Sequence, residues 1–223
     1  MDEKSGKCKN DYEQDGLSSN FILGVLQDKQ QNLWISTNNG ITRFNPVALR
    51  DGRRFETRTY FEIDGLQSDE FNQNAFLLTE KGEMFFGGIN GFNHFYPEKI
   101  IDNGYVPPVF ITAFKIFGKE FETDTSILYK KYIELNYREN FISFEFASLD
   151  YLLPQKNRYS YKMEGLDENW SEPTARNYIS YSDLAGGDYV FMVRASNNDG
   201  VWNDTGIRIH VRVIPPFYKT KWF

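Results

Sequence analysis

A segment of about 50 residues occurs twice in the first half of this 223-residue chain, and that repeat is the strongest constraint on its fold. Asp15-Gly16-Leu17-Ser18 returns as Asp64-Gly65-Leu66-Gln67. Further on, Asn32-Leu33-Trp34-Ile35-Ser36-Thr37-Asn38-Asn39-Gly40 is matched by Glu83-Met84-Phe85-Phe86-Gly87-Gly88-Ile89-Asn90-Gly91. Phe44 and Pro46 are matched by Phe95 and Pro97. A sequence that repeats at this period, with short apolar runs between turn residues, describes successive blades of a β-propeller, each an antiparallel sheet of four strands.

Each copy reads as strands and turns. Phe21–Gln27 is a strand, Asp28–Asn32 a polar turn, Leu33–Ser36 a second strand, and Ile41–Phe44 the return. Asn38-Asn39-Gly40 between the last two supplies the positive φ angles of a tight hairpin. Gly87 and Gly88 stand where the first copy has Ser36 and Thr37, which predicts that side-chain room is short there. Two blades cannot close a ring, so the repeat predicts an incomplete propeller and further sequence in the parent protein.

The pattern changes at Asn103–Pro108, where Gly104, Pro107 and Pro108 separate two apolar regimes. Seven short strands follow: Val109–Phe117, Tyr132–Leu135, Phe141–Ser148, Arg158–Glu164, Asn177–Tyr181, Asp188–Ala195 and Ile207–Ile214. Phe141–Ala147 and Tyr189–Ala195 alternate apolar and polar residues, as strands with one buried face do. Seven such strands predict an immunoglobulin-like or fibronectin-like β-sandwich. The expected class is therefore all-β. A polar leader occupies residues 1–14, about two propeller blades residues 15–105, the sandwich residues 106–216, and a separate tail residues 217–223.

Composition narrows the function. The 20 Phe and 14 Tyr favour half-buried strands. A net charge of −6 argues against nucleic acid as a partner, because phosphate binding needs clustered Lys and Arg. Cys8, the single cysteine, has no partner for an internal disulfide. No apolar run reaches the roughly 18 residues of a membrane span, and no export signal opens the chain. His94 and His210 are the only histidines, without Cys or acidic spacing for zinc or for a nucleophile system. Asp64, Asp69, Glu70, Asp167 and Glu168 lie in turn-like sequence, not in facing pairs. Asn197-Asn198-Asp199-Gly200 suits a hairpin turn and lacks the later bidentate Glu of a calcium loop. We expect no catalytic site, no metal and no cofactor.

The aromatic residues admit two readings. Trp34, Trp170 and Trp202 sit at strand ends or turns, where indoles pack in cores with their N–H bonded. Exposed, Trp34 and Trp202 would instead be platforms for a sugar ring. Tyr189, after Gly187-Asp188, suits a structural tyrosine corner. Phe217-Tyr218-Lys219-Thr220-Lys221-Trp222-Phe223 is either a fraying end or a membrane-interface collar of aromatic rings and snorkelling lysines. Pro215-Pro216 immediately before it restricts φ and limits slack.

These motifs resemble a known pairing. Ile22–Asp28, Asn32–Gly40 and Phe44-Asn45-Pro46 look like two-component-regulator propeller repeats. Tyr159-Ser160-Tyr161, Gly165–Trp170, Tyr181–Leu184, Gly187-Asp188-Tyr189, Arg194–Trp202 and Pro215-Pro216-Phe217 look like the three-Tyr domain that follows such propellers. The resemblance covers about Asp15 to Phe223. It implies the extracytoplasmic sensor region of a hybrid two-component histidine kinase, in the periplasmic part of an inner-membrane protein. It further implies an oligosaccharide bound mainly by upstream blades, and a transmembrane helix after Phe223. Pro215, Pro216, Phe217 and Trp222 would form the relay to that helix, and the sandwich would pair with its twin in a homodimer. The alternative is a carbohydrate-binding fragment without a signalling role.

Overall fold

The structure is a computed structural model, in which residues 12–13, 16–46, 57–121 and 126–216 are described. Cys8, most of the leader and the tail with Phe217 and Trp222 lie outside them. The chain divides into two compact units between Ile101 and Asp102.

The first unit is two antiparallel meanders. β1 (Ile22–Gln27), β2 (Leu33–Thr37), β3 (Ile41–Phe44) and β4 (Thr57–Tyr60) form a four-stranded sheet in chain order. β5 (Phe71–Leu78), β6 (Met84–Gly88) and β7 (Gly91–Phe95) form a three-stranded one. The second copy thus departs from the four strands expected of a blade. After β7 the chain turns at Pro97, which has no N–H to give a ladder and opens a short 3₁₀ turn over Pro97–Lys99.

Local chemistry sets the turns. Asp28 Oδ1 accepts the N–H groups of Gln30 and Asn32, at 2.9 and 2.8 Å. Its Oδ2 accepts the Trp34 indole N–H at 2.9 Å. Gly88 is as crowded as its sequence suggests: a Cβ there would lie 1.9 Å from Gln67 Nε2 and 2.5 Å from the Glu70 carbonyl. The repeat is expressed as packing, because Trp34, Ile41 and Tyr60 of the first sheet and Phe71, Met84 and Phe86 of the second share one buried core.

The second unit is a sandwich of two four-stranded sheets. β8 (Val109–Ile116), β9 (Lys119–Glu120), β11 (Ile142–Ser148) and β13 (Tyr178–Tyr181) form one, in the order β13-β11-β8-β9. The other holds β10 (Tyr132–Asn136), β12 (Arg158–Glu164), β14 (Gly187–Ser196) and β15 (Trp202–Ile214), in the order β10-β15-β14-β12. The seven expected strands are present, joined by the two-residue β9. Alternation does its work on β11, where Ile142, Phe144 and Phe146 are wholly buried. Phe144 stacks on Phe191 of the opposite sheet with ring centroids 4.0 Å apart and planes 6° from parallel. β10 pairs with β15 in parallel, Tyr132 opposite His210 through Asn136 opposite Ile214.

The segment at the sequence boundary is bound into the second unit. Asn103 donates its N–H to Asp199 Oδ2 at 2.5 Å and its side-chain amide to Asp150 Oδ2 at 3.0 Å. Asn197 donates to the carbonyls of Asn103 and Tyr105 at 2.6 and 2.8 Å. Asn197 Oδ1 also accepts the N–H groups of Asp199 and Val201, so Asn197–Gly200 is a hairpin turn that clamps the entering chain.

Phe144→Ala should remove about 3–5 kcal/mol from the sandwich, because it empties the centre of the core on both sides. Urea unfolding measures this. A loss below about 1 kcal/mol would mean that the core does not depend on the Phe144–Phe191 stack.

Candidate functional site

The sequence points to the exit of the sandwich, and the structure builds a specific arrangement there. β15 ends at Ile214, with Pro215 exposed and Pro216 buried. Gly187 stands opposite Val213, which brings the turn before β14 against the end of β15. A Cβ at Gly186 would lie 2.6 Å from Pro215 Cβ and 2.8 Å from its Cα. Gly186 has no positive φ, so space alone demands glycine.

The turn is held in turn by Tyr189, whose hydroxyl donates to the Ala185 carbonyl at 3.1 Å. This is the tyrosine corner expected from sequence. The ring of Tyr189 lies against Gly165, where a Cβ would stand 3.0 Å from Tyr189 Cδ1. Two residues on, Asp167 Oδ2 accepts the Met163 N–H at 2.7 Å and the Tyr181 hydroxyl at 3.1 Å. The Tyr181 phenol is held well above its ordinary value, first by burial and then by the neighbouring Asp167 charge. Tyr159 fixes the far sheet differently, its hydroxyl oxygen accepting the Ser148 N–H at 3.1 Å. A continuous path of contacts therefore runs from Pro215 through Gly186, Tyr189 and Gly165 to Asp167 and Tyr181.

Other sequence-marked residues lie elsewhere. Trp34 is 1% exposed, with Tyr60 stacked at 5.6 Å and Phe95 at 4.9 Å. A ring so covered has no face for a sugar, so the expected glycan contact at Trp34 is corrected to a core role. Trp202 is half-buried and faces the Arg194 guanidinium, which lies 5.4 Å from its ring centroid and 4.6 Å from that of Trp170. Asp64 and Asp69 accept backbone N–H groups of Phe61 and Glu62. His94 stacks on Phe85 and bonds Glu83 at 2.8 Å. Sequence reasoning did not single out Gly186 or Arg194. Gly186-Gly187 carried a signal, since two adjacent glycines before a strand mark close backbone approach.

Comparison with known proteins places this geometry. Residues 150–213, which include β12 to β14 and all of β15 but Ile214, match the Y_Y_Y domain, and residues 16–39 match the two component regulator propeller. The chain is 32% identical over 221 residues to Histidine kinase P4 of Formosa agariphila, covering 96% of this chain and 16% of that protein. It also superposes on the extracellular domain assigned to the hybrid two component system BT3049 of B. thetaiotaomicron. The TM-score is 0.74 at 26% identity, with 91% of this chain and 27% of that one covered. The chain joins a two component regulator propeller to a Y_Y_Y domain and is similar to the extracellular domain of a hybrid two component system. It spans only about a sixth of the length of the histidine kinase it matches. Its Y_Y_Y domain contains the Tyr189 corner, Gly186 and the Asp167–Tyr181 pair.

Two measurements check the site. Gly186→Val should destabilise the Y_Y_Y domain by about 1–3 kcal/mol, because its Cβ cannot share space with Pro215. Thermal unfolding reads this, and an unchanged midpoint would mean that Pro215 is not seated there. Because the folded-state value of Tyr181 is raised above the ordinary 10, its contribution is present at lower pH and lost as pH rises beyond about 10. The urea midpoint should therefore fall more steeply above pH 10 in the native chain than in Tyr181→Phe. Parallel profiles would contradict that assignment.

Proposed function

We propose that this chain is the membrane-proximal part of the periplasmic sensor of a two-component histidine kinase, and that its Y_Y_Y sandwich relays oligosaccharide binding to a transmembrane helix. The observation that carries this reading is Pro215 seated on Gly186. That contact joins the chain leaving the sandwich to the Tyr189 corner and, through it, to the Asp167–Tyr181 pair. A shift in the sandwich then moves the exit as one piece, and the proline pair admits little slack. Among the described residues no helix is long and apolar enough to cross a membrane. In this reading the helix, the kinase and most of the ligand-binding blades belong to the rest of the parent protein.

The device is a two-state switch. Ligand bound by the upstream blades biases one of two arrangements of a homodimer formed through the sandwich, and it does so only to the extent that it binds the two arrangements unequally. Phe217 and Trp222 would anchor the exit at the membrane surface. The competing reading, glycan binding by the chain itself, no longer has Trp34 to draw on.

Replacing Pro215 and Pro216 together by Gly in the parent receptor should lower ligand-dependent output about 5-fold or more, with the fold retained by circular dichroism. Output unchanged by the double replacement would refute the relay.

A further inference from the structure

The start of β10 leaves a notch in the sandwich. Tyr132 is the first β10 residue paired with β15, opposite His210, so β15 before that point has no strand on this side. The turn at Ile127–Tyr129 and Lys130-Lys131 wall the space. The result is a cavity of about 510 Å³ whose lining includes Tyr129, Lys130, Lys131, Thr205, Arg208 and His210. That volume lies within the roughly 300–1,000 Å³ of small-molecule sites.

We propose that this notch binds an acidic oligosaccharide, one that carries carboxylate or sulfate groups. Among the described residues four basic side chains line it and no acidic one does, in a chain of net charge −6. Two other arginines on this face of the sheet show the contrast. Arg194 pairs with Asp204 at 3.0 Å and Arg212 with Asp188 at 3.7 Å. Arg208, between Asp204 and Arg212 along β15, is exposed and forms no ion pair among the described residues. Its planar fork suits bidentate capture of a carboxylate or sulfate. The His210 N–H donates to the Lys131 carbonyl at 2.9 Å, and by strand alternation the Arg208 N–H faces the same open side. Tyr129, 78% exposed at the rim, offers the aromatic face on which a sugar ring stacks. A bare anion would use the cations and leave this ring idle. The site stands apart from the relay, which requires neither Arg208 nor Tyr129.

Calorimetric titration of the chain at fixed ionic strength tests the assignment, with tetragalacturonate, a sulfated carrageenan tetrasaccharide, maltotetraose and inorganic sulfate as probes. Saturable heat is expected from at least one acidic tetrasaccharide and none from maltotetraose. Arg208→Ala should weaken that binding about 10-fold or more, and Tyr129→Ala should weaken it while leaving the fold intact by circular dichroism. No heat from either acidic tetrasaccharide would overturn the proposal. So would undiminished affinity in an Arg208→Ala, Lys131→Ala double variant, or binding of inorganic sulfate as tight as that of the oligosaccharides.

Discussion

The sandwich depends on one contact between its sheets, the near-parallel stack of Phe144 on Phe191. Phe144 belongs to β11 and Phe191 to β14, so the stack fixes the spacing of the layers at their middle strands. Phe146 and Tyr181 pack against the same Phe191 ring at 6.2 Å, which draws both ends of the β13–β11 pair onto β14. Once β14 is held, Tyr189 and Gly187 at its start have fixed places, and the Tyr189 hydroxyl can pin the turn at Ala185. The polar groups at the sandwich end are thus positioned by an apolar contact some residues away. Their hydrogen bonds, each worth about 1 kcal/mol net, specify the turn more than they stabilise the domain.

How far the sequence reveals this follows from the range of the interactions involved. Strands came through because alternation is local: Ile41–Phe44 and Arg158–Glu164 have the same limits in sequence and structure. The tyrosine corner was legible because its two ends lie four residues apart. The parallel pairing of β10 with β15 was not, since Tyr132 and His210 are far apart in the chain and neither announces the other. The seat of Pro215 on Gly186 escaped for the same reason, although each residue was conspicuous by itself. Trp34 shows a different limit. Its indole N–H is bonded at a turn, as expected, but its exposure depends on Tyr60 and on Phe95 of the second sheet, which the spacing of residues around Trp34 does not show.

Charge on the outer face of β14 and β15 is arranged strand by strand. Arg194 lies near the Trp170 and Trp202 rings and reaches Asp204, so its guanidinium is flanked by aromatic rings and paired with a carboxylate. Arg212 has Asp188 across the ladder, and Tyr132 beside it holds its guanidinium more firmly protonated. These two arginines are consumed by the fold. Arg208 has Met192 as its cross-strand neighbour, a residue with no charge to offer. Its guanidinium is left to solvent at the mouth of a concave space, where a ligand anion can do what Asp204 and Asp188 do for the other two.

A relay needs stiffness at its output and tolerance elsewhere, and the packing distributes these unequally. The path from Pro215 to Tyr181 passes through two glycines, Gly186 and Gly165, which are close-approach points and not hinges. Gly186 is pressed against a proline ring, and Gly165 lies under the Tyr189 ring next to the Asp188 carbonyl. Glycine here removes the side chains that would hold the elements apart, so backbone meets ring without an intervening rotamer. Small displacements cross such contacts with little loss, because packed interiors shift between discrete arrangements and do not deform smoothly. The same reasoning separates the two candidate activities of the sandwich. The notch at the start of β10 opens on a strand edge, where a ligand can enter without moving the core, whereas the seat of Pro215 cannot change without moving the turn that Tyr189 holds.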